Sequence, residues 1–99
     1  MLTPNSPMNY IEPLFTDIAK KNHEKSINID TLYFYFKKNL GYSNPKKMKA
    51  FAQTLKEFKY LAIISDGLFS INWKKLSEDY PANPEFKLML ASLKVDDNA

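Results

Sequence analysis

The sequence predicts a mainly α-helical domain with a small β-hairpin, an α+β fold, and three features indicate it. Apolar residues recur at three- and four-residue spacing in several segments, which is typical of amphipathic helices. Two runs rich in β-branched and aromatic residues flank the pair Asp66 and Gly67, which favours a two-residue hairpin turn. The chain has 99 residues and is 44% hydrophobic, which suits one domain rather than two.

The N-terminal part is predicted to contain a helix followed by a short strand. We place the start of the regular helix between Asn9 and Glu12, because Pro13 is tolerated in a first turn. Residues 1–7 are expected to be flexible, and the alternating residues 26–29 predict a strand. The apolar stripe of this first helix consists of Met8, Ile11, Leu14, Phe15 and Ile18.

Residues 31–40 are predicted to form a second helix, with a strand as the rival interpretation. Asp30 is the expected N-cap because its carboxylate can accept a free amide, and Gly41 can take the left-handed conformation that ends a helix. The run Leu-Tyr-Phe-Tyr-Phe has high strand propensity, which keeps the rival open. The residues expected to face the core are Leu32, Tyr33, Phe36 and Leu40. Phe34 and Tyr35 are left for other surfaces, with packing on the first helix or on the C-terminal segment as the options.

A third helix is predicted over residues 44–58. Ser43 or Asn44 is its expected cap and Pro45 its first residue. Its apolar stripe comprises Met48, Phe51, Ala52, Leu55 and Phe58, and its opposite side comprises Lys46, Lys49, Gln53 and Lys56, with Lys47 to the flank.

The predicted hairpin and a fourth helix complete the domain, which we assign to residues 8–94 with its core in 8–73. Residues 61–65 and 68–73 are the expected strands, joined by a type I′ turn. Ile64 is expected opposite Phe69 and Ala62 opposite Ile71, with both pairs on one buried face. A short helical turn is expected in residues 74–80. The C-terminal helix, at about 84–94, carries the apolar stripe Phe86, Met89, Leu90 and Leu93, and residues 95–99 are expected to form a flexible tail.

The net charge of +3 is unevenly distributed along the chain. Residues 20–59 hold ten lysines and three acidic residues, net +7, whereas both flanking parts are slightly acidic. Such asymmetry favours a polyanionic partner, although lysines also solubilise ordinary helix faces. All fourteen basic residues are lysine, and the lack of arginine argues against strongly sequence-specific reading of guanine while leaving phosphate binding open.

The residue composition argues against an enzyme or a metal protein. The chain has no cysteine, two glycines and a single histidine, His23, which has no motif pairing it with a nucleophile or a carboxylate cluster. We therefore expect no catalytic residue, no metal, no cofactor and no small-molecule substrate. No apolar run approaches the length of a membrane span, so we expect no membrane partner. Because the lack of cysteine gives no indication of secretion, we expect an intracellular protein, in the cytoplasm, nucleoid or nucleus, or in a host cell if viral.

The order of these predicted elements resembles the winged helix-turn-helix superfamily over residues 8–73. The residues that carry the resemblance are Leu40, Gly41 and Tyr42 at the turn, and Met48, Phe51 and Leu55 in the third helix. Members of this superfamily include transcription regulators, replication initiators and protein-interaction modules, so the resemblance does not choose among these functions.

The leading hypothesis from the sequence is a small regulator that binds duplex DNA with its third helix in the major groove. The residues expected to contact DNA are Ser43, Lys46, Lys47, Lys49, Gln53, Lys56, Lys37 and Lys38. The hairpin tip carries no cation and is expected to contribute little. The rival hypothesis is a protein-interaction module or homodimer. Its basis is the surplus of aromatic residues on the second helix, Phe34 and Tyr35, together with the apolar stripe Phe86, Met89, Leu90 and Leu93.

Overall fold

The computed structural model describes residues 8–22 and 25–98 of the chain. In that part, five helices accompany one three-stranded antiparallel sheet, which confirms the predicted α+β class. The elements in chain order are α1 (Met8–Lys21), β1 (Ser26–Asn28), α2 (Ile29–Leu40), α3 (Pro45–Glu57), β2 (Leu61–Ser65), β3 (Leu68–Ile71), α4 (Trp73–Asp79) and α5 (Pro84–Asn98). Residues 1–7, for which flexibility was predicted, and His23 lie outside the described residues.

Both N-terminal helices begin earlier than the sequence predicted. Helix α1 starts at Met8, so Pro13 lies inside the helix beyond its first turn, where it removes one intrahelical hydrogen bond. Helix α2 starts at Ile29, and its N-cap is Asn28, whose side chain accepts a 2.9 Å hydrogen bond from the amide of Thr31. The assignment of Asp30 as the cap was therefore wrong, and Asp30 lies in the first turn instead.

The sheet has the strand order β1-β3-β2, so β3 is central and pairs with both neighbours. Leu61 lies opposite Ile71, and Ile63 lies opposite Phe69. The predicted pairs Ile64–Phe69 and Ala62–Ile71 are wrong by one residue, because the register shifts between Ile63 and Ser65. A one-residue shift moves side chains to the other face.

The hairpin turn also differs from the type I′ turn that was predicted. That turn needs positive φ at both central residues. Gly67 has a φ of 74°, but among the described non-glycine residues only Lys59 has positive φ, so Asp66 does not meet the requirement. The register irregularity therefore accompanies a turn in which only the glycine is left-handed.

The core lies where α1, α2, α3, the sheet and the C-terminal helices meet. It contains most of the predicted stripes of α1 and α3, with Ile11, Leu14, Phe15, Ile18, Met48, Phe51, Ala52 and Leu55 all buried. The side chain of Met8 lies outside the described part of the chain. Tyr35 is also buried, whereas its neighbour Phe34 is 58% exposed. Phe58 is 40% exposed and ends α3 as its C-cap, so it does not extend the buried stripe.

The segment after the hairpin is more helical than the sequence predicted. Strand β3 stops at Ile71 because the side chain of Asn72 caps α4, accepting a 3.0 Å hydrogen bond from the amide of Lys75. Trp73, expected at the end of the strand, is instead buried at the start of α4. Helix α5 extends to Asn98, past the predicted end near Lys94 and through most of the segment 95–99 expected as a tail.

Candidate nucleic-acid interface

Helix α3 is held in place at both ends by backbone and side-chain capping. The chain leaves α2 at Gly41, whose left-handed φ of 70° accompanies a hydrogen bond from its amide to the carbonyl of Lys37. Asn44 then caps α3, accepting a 2.8 Å hydrogen bond from the amide of Lys46, with Pro45 as the first helical residue. These local signals were read correctly from the sequence.

The C-terminal end of α3 forms a Schellman motif. The amide of Tyr60 donates to the carbonyl of Leu55 at 3.0 Å, and the amide of Lys59 donates to that of Lys56 at 3.0 Å. Lys59 occupies the left-handed position with a φ of 70°, where glycine is the usual residue. The helix is thus fixed at both ends while its outer side remains open.

The outer side of α3 carries the residues predicted to contact DNA. We call Lys46, Lys49, Gln53 and Lys56 the lysine face; the first three are exposed and Lys56 is half-buried. The ammonium of Lys56 donates a 3.1 Å hydrogen bond to the side-chain oxygen of Gln53. Lys47 is exposed on the flank, beside Tyr42. The structure therefore brings Lys46, Lys47, Lys49, Gln53 and Lys56 together on one helix with the buried stripe behind them.

The two lysines of α2 differ from each other. Lys37 is exposed, whereas the ammonium of Lys38 lies 3.2 Å from Oδ2 of Asp17 on α1. The hydrogen bond to Asp17 raises the pKa of Lys38 above its usual value, since it favours the charged form. Lys38 therefore has a partner within the protein, linking α1 to α2, that a DNA phosphate would have to replace.

The start of α3 offers limited hydrogen bonding to a phosphate. Ser43 is exposed next to the helix, as expected. Pro45 has no amide proton, and the amide of Lys46 already donates to Asn44. A phosphate contact at Ser43, one of the residues expected to contact DNA, therefore has the amide of Lys47 rather than those of Pro45 and Lys46 to support it.

The hairpin stays close to the body of the domain. The amide of Ile29, at the start of α2, donates a 2.8 Å hydrogen bond to the carbonyl of Gly67 in the turn. Strand β1 pairs with β3 as far as Asn28 opposite Leu68. The turn residues are thus held against β1 and α2. The charged residue at the hairpin tip is Asp66, which is acidic.

An apolar cleft of about 350 Å³ lies beside the lysine face. Its lining comprises Ile29, Tyr33, Ala52, Ile63 and Phe69, with Lys49, Gln53 and Lys56 around it. Ile63 is 59% exposed although it shares a sheet face with buried Leu61, because Ile63 lies at the open part of this cleft. The cleft could not be predicted from the sequence, because the expected hairpin pairing put Ala62 and Ile64, rather than Ile63, on the same side of the sheet as Phe69.

The second predicted interface is mostly part of the core. Phe86 and Met89 are 0% and 2% exposed, and Phe86 contacts the rings of Trp73 and Tyr80. Leu90 is half-buried, and the side chain of Leu93 lies outside the described part of the chain. Phe86 and Met89 thus serve the fold of their own chain. Among the side chains of α5 that the structure describes, the large apolar one that is exposed is Leu88.

Comparison with known proteins adds no functional assignment: no family model, no curated protein and no solved structure matches this chain. Within residues 8–22 and 25–98, none of the helices is both long and apolar enough to cross a membrane. The same residues contain no group of three or more histidine, cysteine or acidic side chains placed to hold a metal ion.

Proposed function

We propose that this protein is a small, non-enzymatic winged-helix protein that binds duplex DNA through α3 and acts inside the cell as a transcription or replication regulator. The observation that carries the proposal is the lysine face, together with Lys47, on the exposed side of a helix that is capped at both ends and buried along its other side. DNA phosphates are the abundant polyanionic partner for such a surface.

The order and pairing of the elements support the winged-helix assignment. The chain runs α1-β1-α2-α3-β2-β3, and β1 adds to the β2–β3 hairpin as its third antiparallel strand. In proteins of this kind the helix after the turn enters the major groove. Here that helix is α3, which follows the left-handed Gly41 and the cap Asn44.

Individual residues of α3 are suited to different DNA contacts. Lys46, Lys47 and Lys49 are exposed in the first turns, where their ammonium groups can reach phosphates or the acceptor atoms of guanine. Gln53 is exposed two turns further along and has the side chain that pairs with adenine, once it releases Lys56. Lys37 contributes a phosphate contact from α2. Lys38, already paired with Asp17, contributes less than was expected from the sequence.

A titration of a fluorescently labelled duplex of mixed sequence tests the proposal. The full chain is compared with a Lys46/Lys47/Lys49→Ala variant and with a control, Lys20/Lys74/Lys87→Ala. Both variants replace three exposed lysines, so they have the same net charge, but the control residues lie on α1, α4 and α5.

The proposal predicts that the α3 variant loses most of the affinity at low salt, whereas the control retains it within roughly threefold. Equal losses in both variants would mean that only net charge matters. No binding by the unsubstituted protein would reject the DNA function.

A second candidate function, a protein-interaction module, is favoured by the apolar cleft. An apolar side chain of a partner could enter between Ile29, Tyr33 and Phe69, with Lys49 and Lys56 at the rim to pair with acidic residues. A Tyr33→Lys variant would block this cleft while adding positive charge. Under the DNA proposal its affinity for DNA is retained or increased, whereas a partner that uses the cleft would be lost.

A further inference from the structure

We propose that Ile63 makes the DNA surface of this protein selective for A·T base pairs, by packing on the 5-methyl group of thymine next to the adenine that Gln53 contacts. The thymine belongs to the same base pair as that adenine or to the adjacent one. This inference rests on the proposed function and deepens it, since it names the base pair that the surface prefers and the residue that selects it.

The first observation is the exposure of Ile63 beside the core. Ile63 lies opposite Phe69 across the β2–β3 pair, so the two side chains share one face of the sheet. Phe69 is 8% exposed and belongs to the core, whereas Ile63 is 59% exposed. More than half of a large apolar side chain therefore stays at the surface, at the mouth of the cleft between the sheet and α3.

The second observation is that Ile63 and Gln53 line the same cleft from different elements. Gln53 is exposed on α3, and Ile63 comes from β2. Successive base pairs of DNA lie about 3.4 Å apart. A helix that brings Gln53 to one base edge therefore also brings the neighbouring strand to that base pair or the next. The contact needs only the mouth of the cleft and leaves its interior, at Tyr33, unoccupied.

The charges around the cleft complement a DNA duplex. Lys49 and Lys56 line it, and none of the described side chains in its lining is acidic. The ammonium of Lys56 donates a 3.1 Å hydrogen bond to the side-chain oxygen of Gln53. When the N6 amino group of adenine donates to that oxygen instead, the ammonium of Lys56 is released to bind a phosphate. Docking thus exchanges one contact within the protein for two contacts with DNA.

The chemistry of the base edges determines which base pair such a surface favours. In the major groove only thymine presents an apolar group, its 5-methyl, and apolar side chains contact it. Glutamine pairs with N6 and N7 of adenine, whereas the commonest contact to guanine is made by arginine or lysine. The chain has no arginine. The surface therefore combines a side chain suited to adenine with one suited to thymine.

The test compares two duplexes of one mixed sequence, the second with uracil in place of every thymine. Uracil keeps the base pair and its hydrogen-bonding groups and lacks only the methyl group. We expect the unsubstituted full chain to bind the thymine duplex roughly threefold to tenfold more tightly, because covering the methyl group removes apolar surface from water.

Three variants assign the preference to its residue. Ile63→Ala should bring the ratio of the two affinities close to one, through weaker binding of the thymine duplex. The matched control is Ile64→Ala, because Ile64 is 54% exposed on the same strand but does not line the cleft, and it should keep the ratio. Gln53→Ala should weaken binding to both duplexes alike, since adenine is present in both. All three residues are exposed, so the variants should fold, which circular dichroism checks.

The outcomes separate this inference from the proposed function. Equal affinity of the unsubstituted protein for both duplexes, or a preference that survives in Ile63→Ala, would overturn the role of Ile63 and leave DNA binding by α3 intact. An equal loss of the preference in Ile64→Ala would also overturn it. No binding to either duplex by the unsubstituted protein would reject the DNA function and this inference with it.

Discussion

The hydroxyl of Tyr60 donates a 2.6 Å hydrogen bond to Oδ2 of Asp79, which connects the residue before β2 to the last residue of α4. The ammonium of Lys75 lies 3.2 Å from the same carboxylate oxygen and 5.3 Å from the centre of the Tyr60 ring. This contact holds α4 against the segment that ends α3, so it couples the C-terminal helices to the candidate DNA-binding helix.

Removing the Tyr60 hydroxyl should destabilise the protein without changing its shape. We expect Tyr60→Phe to lower the free energy of unfolding by about 1–2 kcal/mol, since it deletes a hydrogen bond to a charged acceptor. The pKa of Asp79, which this hydrogen bond holds below its ordinary value of 3.8, should rise. Urea denaturation measures the first effect and an NMR titration the second. An unchanged Asp79 pKa would contradict the contact.

Stability should fall at both ends of the pH range. Burial raises the pKa of Asp17, but hydrogen bonds from Asn39 and Lys38 outweigh it and leave the pKa below 3.8; the pKa of Asp79 is also lowered. A carboxylate with a lowered pKa stabilises the fold above the pKa of the unfolded chain, so this stability is lost as the pH falls below about 4.

The loss of stability at high pH follows from the titration of Tyr60. Burial and the hydrogen bond to Asp79 raise the pKa of Tyr60 well above 10.0, so the stability it contributes is present below that value and lost as the pH rises above it. Thermal unfolding between about pH 2 and pH 11 should show a plateau with two falling limbs. In the Tyr60→Phe variant, thermal stability should fall less steeply at high pH. An identical fall at high pH in that variant would contradict the role of Tyr60.

Lys59→Gly should stabilise the protein. Lys59 is the left-handed residue that ends α3, a conformation that costs an L-residue roughly 1–2 kcal/mol and glycine nothing. After the greater entropy of the unfolded glycine chain is subtracted, we expect a gain of about 0.5–1 kcal/mol in unfolding free energy. Denaturant unfolding beside a Lys74→Gly control, which should be destabilised on α4, measures it. A loss of stability in Lys59→Gly would contradict the claim that the left-handed backbone at Lys59 is strained.

Asn83 joins two distant parts of the chain. Its side-chain oxygen accepts from the amide of Phe86, which caps α5, and its amide nitrogen donates to Glu12 at 2.8 Å and to Thr16 at 2.9 Å. Because Asn83 is buried, we expect Asn83→Ala to cost about 2–3 kcal/mol of unfolding free energy. Asn83→Asp keeps the cap but places a carboxylate beside Glu12, so it should also destabilise. Stability equal to the unsubstituted protein in both would show that these contacts are dispensable.

Local signals predicted much of the fold, and distant contacts account for the differences. Gly41, Asn44 and Pro45 set the ends of their helices through short-range geometry, so the turn and α3 could be read from the sequence. The hairpin register could not, because it depends on the pairing of β3 with β1 and on the bond from Ile29 to Gly67.

In the candidate site too, some features could be predicted from local sequence and others depend on contacts between distant residues. The lysine face follows from helical periodicity, which the sequence displays directly. The pairing of Lys38 with Asp17, residues on different helices, has no local signal. The apolar cleft was missed because it depends on Ile63, whose side of the sheet follows from the register rather than from its neighbours in the chain.

The most direct test of the central claim is the salt dependence of DNA affinity for the full chain and the two triple-lysine variants. A slope of log affinity against log salt of about −3 to −5 is expected, since each phosphate contact contributes about −0.9. Lys46/Lys47/Lys49→Ala should make the slope shallower by roughly 2 to 3, and Lys20/Lys74/Lys87→Ala should leave it unchanged. An identical slope in both variants, or a slope near zero in the unsubstituted protein, would contradict a DNA-binding role for α3.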